Sequence, residues 1–422
     1  MKTREKSSRG YHPRLADARL KELLSNFSAI MIHGPRATGK TTTAEQVAAE
    51  VVRLDQPAQA AAFRANPDAA LRLFAEPLLL DEWQEVPEVL GAVKRAVDKD
   101  SRPGRFLLTG SVRAELENQM WPATGRAIRV QMYGVTQREI VRRLDPNQPS
   151  FFDRLATADL GSFSLPVEVP DLPRYLELAL RSAFPEIVFS GRDEPNRRIW
   201  LDSYLEQLLT RDAERLADRR DPAKLRRYFE ALALNTAGLA KDKTIYEAAG
   251  VNAKTAAAYD QLLTNLFVLD LVPAWSSNRL QRLVKNAKRY VVDAGLVGSS
   301  AGLTPRTVLA EGELFGRIID TFGVSQLRPE AALSIERSRL YHLRVEDGRR
   351  EIDLVVERDA GRVLGIEFKA GAVVGNDDAK HLHWLRDELG DRFLAGAVLH
   401  TGPAMYPIGD RVFAIPLCAI WG

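Results

Sequence analysis

The stretch HGPRATGKTTT, residues 33–43, places four residues between Gly34 and the run Gly39-Lys40-Thr41. Glycines at such positions let backbone N–H groups turn toward phosphate oxygens at the positive end of the following helix. An apolar run, FSAIMI, precedes the loop, and a helical pattern, TTTAEQVAAEVV, follows it. Strand, glycine-bounded loop and helix in that order call for an α/β architecture with a parallel sheet. Gly34, Pro35, Arg36, Ala37, Thr38, Gly39, Lys40, Thr41 and Thr42 are the expected cradle for ATP, with Lys40 reaching the β/γ-phosphates and Thr41 holding Mg²⁺.

A second apolar strand, in PLLLDEWQEVP, ends in Asp81 and Glu82. Asp81 is placed to order the metal, and Glu82 to polarise a water for attack on the γ-phosphate, which favours hydrolysis over transfer to a substrate. A third strand, RFLLTGS, brings Thr109 and Ser111, small hydroxyls suited to sensing the γ-phosphate or the attacking water. After it, ATGRAIRV offers Arg126 and Arg129, and SVRAE offers Arg113, as arginines for transition-state charge, in cis or from a neighbouring subunit.

Composition adds exclusions. Lys and Arg number 59 against 56 Asp and Glu, so a net charge of +3 does not by itself argue for nucleic acid. The single cysteine, Cys418, excludes an intramolecular disulfide framework and a Cys-x-x-Cys metal site, as expected of a cytoplasmic protein. No apolar run reaches the roughly 18 residues of a membrane span, and no signal-peptide pattern follows the basic opening, so neither export nor a membrane partner is expected.

The segments GPRATGKTT, LLLDEWQEVPEVLGAVKRAVD, FLLTGS and GRAIRVQMYGVTQREI, in this order, resemble a bacterial and archaeal family of AAA-type P-loop ATPases. In that family the ATPase domain precedes a domain of unknown function. The resemblance continues through RSAFPEI, YLEQLLTRD, KTAAAYDQLLTNLFVLDLVPAW, KRYVVDAGL and EIDLVVE to GIEFKA, almost the whole chain. It implies ATP and Mg²⁺ as cofactors, a winged-helix segment, a restriction-endonuclease-like C-terminal domain, and a homo-oligomer in which an arginine reaches a neighbour's nucleotide. The expected organisation is a P-loop ATPase domain at 1–142, a linker or insertion at 143–173, a helical and winged-helix region at 174–300, and a restriction-endonuclease-like α/β domain at 301–422.

In AAGVNAKTAAAYDQLL, a short helix, Gly250 and a second helix started by Asn252 precede a β-rich run, the order of a helix-turn-helix with a wing. Asn252, Lys254, Thr255, Tyr259 and Gln261 would be the side chains offered to DNA. Arg279, Arg282, Lys285, Lys288 and Arg289 follow as a basic patch that would support weak, salt-sensitive binding. A lid or a contact for a protein partner is the alternative for the same segment.

Further on, EIDLVVERDAGRVLGIEFKA sets Glu351 and Asp353 on one strand and Glu367 and Lys369 on the next. Alternation puts each pair on one face, and a hairpin would bring Asp353, Glu367 and Lys369 together. In the nuclease fold such acids, here Asp353 and Glu367, hold Mg²⁺ while the lysine helps water attack a phosphodiester. Relatives carry a glutamate on the preceding helix where this chain has Gly316; Glu313 lies about one turn earlier. His381 and His383, two apart in a helical pattern, would face different sides and share no metal.

Overall fold

A computed structural model describes residues 10–111, 125–142, 144, 148–212, 221–238, 242–278, 286–345 and 349–422. Arg113, Arg279, Arg282 and Lys285 lie outside the described residues. The chain divides into two compact units, the described residues up to Gln148 and those from Pro149 to Gly422. Among the described residues no helix is long and apolar enough to cross a membrane.

The first unit is built on a sheet of five parallel strands: β1 (Ala29–His33), β2 (Glu50–Arg53), β3 (Leu78–Asp81), β4 (Phe106–Gly110) and β5 (Ala127–Gln131). Their order across the sheet is β2-β3-β4-β1-β5. The three central strands, β3, β4 and β1, read as nearly unbroken apolar runs because helices cover both faces of a parallel sheet. Helix Val89–Lys99 buries Val89, Leu90, Ala92, Val93 and Val97, the stripe that three- and four-residue spacing lays along one side. Register aligns the carboxyl ends: Ile32 lies opposite Thr109, and Thr109 opposite Asp81. The loop after His33, Asp81 and the end of β4 therefore share one edge.

The boundary between the units falls inside 143–173, and the rest of that stretch is not a linker. Ser150 caps helix Phe151–Ala156 by accepting the Asp153 N–H, and Phe151, Phe152 and Leu155 are fully buried. One apolar core runs from Phe151 through Leu263, Leu296, Ile319 and Leu399 to Trp421, so residues 174–300 and 301–422 share a core instead of forming separate domains.

Within the second unit, helices Asp242–Ala248 and Ala253–Asn265 meet at Gly250 and precede an antiparallel ribbon of β6 (Leu269–Val272) and β7 (Lys288–Val291). Asn252 starts the second helix by accepting the Thr255 N–H at 2.9 Å. Helix Gly312–Leu333 then leads to β8 (Arg339–Val345), β9 (Arg350–Glu357) and β10 (Val363–Lys369). Helix Asn376–Leu389 connects to β11 (Phe393–His400), followed by β12 (Tyr406–Gly409) and β13 (Val412–Pro416). These six strands form one mixed sheet in the order β12-β13-β11-β10-β9-β8, with β10, β11 and β13 parallel. Leu354 and Val356 pack with Ile319 of the long helix, while Val355 packs with Leu382 of the shorter one, so the two helices cover opposite faces.

Candidate functional site

The glycine-bounded loop leaves β1 at Gly34, whose φ is +147°; a Cβ there would lie 2.2 Å from the Met132 carbonyl oxygen, so only glycine fits. Ala37 and Gly39 also take positive φ, which curls the loop back on itself before helix Lys40–Glu45. The Lys40 ammonium is buried inside that curl and donates to the carbonyls of Gly34 at 3.0 Å and Pro35 at 2.6 Å. Burial lowers its pKa from the ordinary 10.5 to about 8, against the opposing pull of Glu82 and Asp81. The loop thus presents a lysine whose charge is poorly compensated by its own surroundings.

Asp81 ends β3 as a buried carboxylate. Its Oδ1 accepts from the Thr41 hydroxyl at 2.7 Å and from the Thr109 hydroxyl, and its Oδ2 from Arg53 at 3.4 Å. Glu82 turns the chain with φ +53° and ψ +51° and accepts from the Gln84 amide. Burial raises its pKa, with Lys40 opposing and Asp81 reinforcing the shift. Ser111, one residue past β4, is buried, and its hydroxyl has no hydrogen-bond partner among the described residues. Gly110 is needed just before it, since a Cβ would sit 2.5 Å from the Trp83 indole nitrogen.

These residues fit a magnesium nucleotide. The Thr41 hydroxyl and the Asp81 carboxylate are hard oxygen donors of the kind Mg²⁺ takes alongside phosphate. Lys40 satisfies its donors only on its own loop, and the unpartnered Ser111 hydroxyl ends the sensing strand.

The spacing of motifs did not disclose what holds the loop from behind. Arg14, buried, donates to the Thr38 carbonyl at 2.7 Å, to the Tyr133 carbonyl at 2.9 Å and to the Glu139 carboxylate at 3.0 Å. Glu139 also accepts the Leu15 N–H at 2.7 Å and closes a capping box with Thr136. The Tyr11 hydroxyl donates to Asp17 at 2.6 Å and lies 3.2 Å from Thr43 on the helix after the loop. Only the Thr136-x-x-Glu139 box was readable as a local signal.

Arg126 does not belong to this site. It immediately precedes β5, and Ala127 pairs with Ala29 at the start of β1, so it sits at the sheet edge opposite the loop. Five residues of strand, about 16 Å, separate the two edges, and the exposed guanidinium pairs with Asp98 at 2.5 Å. Arg129, at the middle of β5, is exposed too.

In the second unit, the side chains expected to meet DNA divide. Asn252, Lys254 and Gln261 are exposed, but Tyr259 is buried against Tyr228, with ring centroids 5.5 Å apart. Lys288 is buried and donates to Asp353 at 2.7 Å, and Arg289 pairs with Asp260 at 2.8 Å. Neither cation contributes to an exposed basic patch.

The same contact changes the reading of the acidic pair. Pairing of β9 with β10 ends at Leu354 and Ile366, and the next residues on each strand are Asp353 and Glu367. Asp353 accepts the Phe368 N–H at 3.0 Å besides the Lys288 ammonium, and it shares a hydrogen bond with Glu367. Burial works against the Asp353 carboxylate, yet Lys288 holds its pKa below the ordinary value, while burial and then Asp353 push Glu367 well up. Lys288 thus lies against one of the two carboxylates expected to hold a metal, and among the described residues no group of three or more His, Cys, Asp or Glu is arranged to hold a metal ion. Glu313 is exposed and pairs with Arg317, away from this centre. The helix residue that does feel the centre is Asp320, about one turn beyond Gly316, its pKa raised by burial and by Asp353. His381 bonds the Glu351 carbonyl at 2.7 Å and lies 3.9 Å from Glu367.

Comparison with known proteins places the nucleotide site within an AAA domain, matched by residues 26–141. Residues 172–307 and 315–420 match two domains of unknown function, DUF8612 and DUF4143. The uncharacterized proteins Mb2031c of Mycobacterium bovis and Rv2008c of Mycobacterium tuberculosis are each 28% identical over 413 residues, covering 95% of this chain and 82% of theirs. Among solved structures, the Walker-type ATPase PABY2304 of Pyrococcus abyssi aligns with TM-score 0.43 and 14% identity, over 71% of this chain and 99% of that one. AMPPCP-bound DnaA from Aquifex aeolicus aligns with TM-score 0.27 and 16% identity, over 60% and 88%. The AAA match over residues 26–141 and the five-stranded parallel sheet together give the first unit an AAA-type P-loop fold.

Proposed function

We propose that this chain hydrolyses ATP with Mg²⁺ and uses the nucleotide state as a regulatory switch for its C-terminal unit, which binds a partner and does not cut nucleic acid. The convergence of Thr41 and Thr109 on Asp81, with Glu82 held beside them by Gln84, carries the first half of this reading.

Thr41 and Asp81 would hold Mg²⁺, which when bound would supply charge neutralisation for the phosphates. The loop N–H groups and Lys40 would bind the phosphates, the ammonium exchanging its two carbonyl partners for phosphate oxygens. Glu82 would accept a proton from the attacking water, its basicity increased by burial. Thr109 and Ser111 would orient that water or the γ-phosphate. Arg126 lies at the far edge of its own sheet and pairs with Asp98 at the surface, so a transition-state role for it would come only through a neighbouring subunit.

The Lys288–Asp353 contact favours a switch over a nuclease, since it neutralises the carboxylate that would hold a metal. A DNA-coupled ATPase for repair, recombination or defence is the second reading, supported by the exposed Asn252, Lys254 and Gln261 on a helix followed by a β-ribbon. Steady-state hydrolysis with single-stranded, duplex and branched DNA at two salt concentrations separates the two. Salt-sensitive stimulation would overturn the switch reading in favour of DNA coupling. Glu82→Gln is expected to lower turnover by roughly 10²–10⁴-fold while ATP still binds; wild-type turnover in that variant would sink the hydrolytic assignment.

A further inference from the structure

The second unit contains a cavity of about 420 Å³ that lies entirely between residues 174 and 305, within the segment matched by the first domain of unknown function. Residues of helices Leu172–Leu180, Glu194–Gln207 and Ala294–Ser300 line it. Four arginines line it, Arg174, Arg181, Arg197 and Arg198, against two acids, Glu177 and Glu194. We propose that this cavity binds an organic phosphate of mononucleotide size, with the phosphate held by Arg181 and Arg197.

Geometry and charge carry the assignment. Arg174 is taken up by Glu177 at 2.8 Å, and Arg198 donates to the Leu303 carbonyl at 3.2 Å. The Arg197 guanidinium, half-exposed, has no acidic partner among the described residues. Arg181 is half-buried beside it, and burial, then repulsion from Arg174 and Arg197, lowers its pKa from 12.5 to about 10. Like charges gathered in a partly desolvated recess are unfavourable unless an anion joins them.

The cavity's formal excess of two positive charges matches a phosphate monoester, which carries about −1.5 to −2 at neutral pH. A single carboxylate would leave one charge uncompensated. Guanidinium groups bind phosphate oxygens in pairs of parallel hydrogen bonds, which a lysine-lined recess would not do. Leu178 and Leu201, both buried, and Leu303 supply an apolar wall, so the ligand has an organic body besides its phosphate. The volume lies in the roughly 300–1,000 Å³ range of small-molecule sites.

The test uses full-length protein carrying Lys40→Ala, so that the P-loop no longer contributes its lysine and the outcome is independent of the hydrolytic assignment. Isothermal titration with AMP and with inorganic phosphate should show AMP binding at least tenfold more tightly, because the apolar wall contributes only to AMP. Adding Arg197→Ala, at a half-exposed position, should weaken AMP at least tenfold with an unchanged circular dichroism spectrum, and Arg181→Met should do the same. Absence of AMP binding up to millimolar concentration, or equal affinity in the Arg197→Ala protein, would overturn the proposal.

Discussion

Lys40 makes nucleotide binding a proton-uptake reaction above neutral pH. In the empty site burial holds its pKa at about 8 in place of 10.5, a difference worth about 3 kcal/mol against the charged form. A triphosphate replaces the two carbonyl partners with anionic oxygens and so restores the ammonium to at least its ordinary range. At pH 9 about 0.9 of the empty sites hold a neutral lysine, and nearly all of these must take up a proton on binding; at pH 7 only about 0.1 do. The sign follows from linkage: a depressed lysine stabilises the empty fold fully above pH 10.5, and this is lost as pH falls through about 8. Titrating a non-hydrolysable ATP analogue with Mg²⁺ in two buffers of different ionisation enthalpy gives the proton number directly. Lys40→Arg, which stays charged, should lose the pH-dependent uptake. Binding of the analogue at pH 9 with no proton taken up would refute the reasoning, because the lysine would then be charged before the phosphates arrive or uncharged after.

Arg126→Ala should leave ATP turnover within about twofold of wild type, the usual range for an exposed substitution; a fall of a hundredfold in steady-state hydrolysis would mean the arginine reaches a nucleotide after all. Lys288→Met should destabilise the second unit by roughly 3–5 kcal/mol, because it strands a buried carboxylate, while Lys288→Met combined with Asp353→Asn should recover most of that loss in urea unfolding. Glu367→Gln keeps a donor for Asp353 and removes the titration. A carboxyl held well above its ordinary 4.5 stabilises the fold below pH 4.5 and ceases to as pH rises, so the variant should gain stability at pH 8 and none at pH 4, read as Tm.

Why the nucleotide site was legible and the second centre was not comes down to sequence separation. Gly34, Lys40 and Thr41 act through local geometry, and Asp81 and Thr109 end strands whose apolar runs announce them, so parallel register brings all of them to one edge. Arg14 and Glu139, 125 positions apart, meet only because the chain closes around the sheet, and no spacing rule reaches that far. Which edge of the sheet Arg126 would stand at could not be read from sequence; only the pairing of Ala127 with Ala29 tells. Tyr259 was readable: with Ala256, Leu262 and Leu263 it continues the helix's buried stripe. Lys288 was not, since it sits among basic neighbours in KNAKRY, and its burial depends on a strand some 65 residues later.

That lysine also gives the acidic hairpin a compensating partner within the fold. Asp353 carries its charge, Glu367 is held toward its neutral form, and Lys288 supplies the compensating cation from within the fold. A divalent ion entering this centre would have to displace the ammonium, leaving it buried without its carboxylate, and would have to ionise Glu367 against its burial. Both steps carry a cost that the ion's own charge would have to offset, and β7, which carries Lys288, is paired along its length with β6. The pair therefore ties the ribbon to the sheet, joining two elements of the second unit.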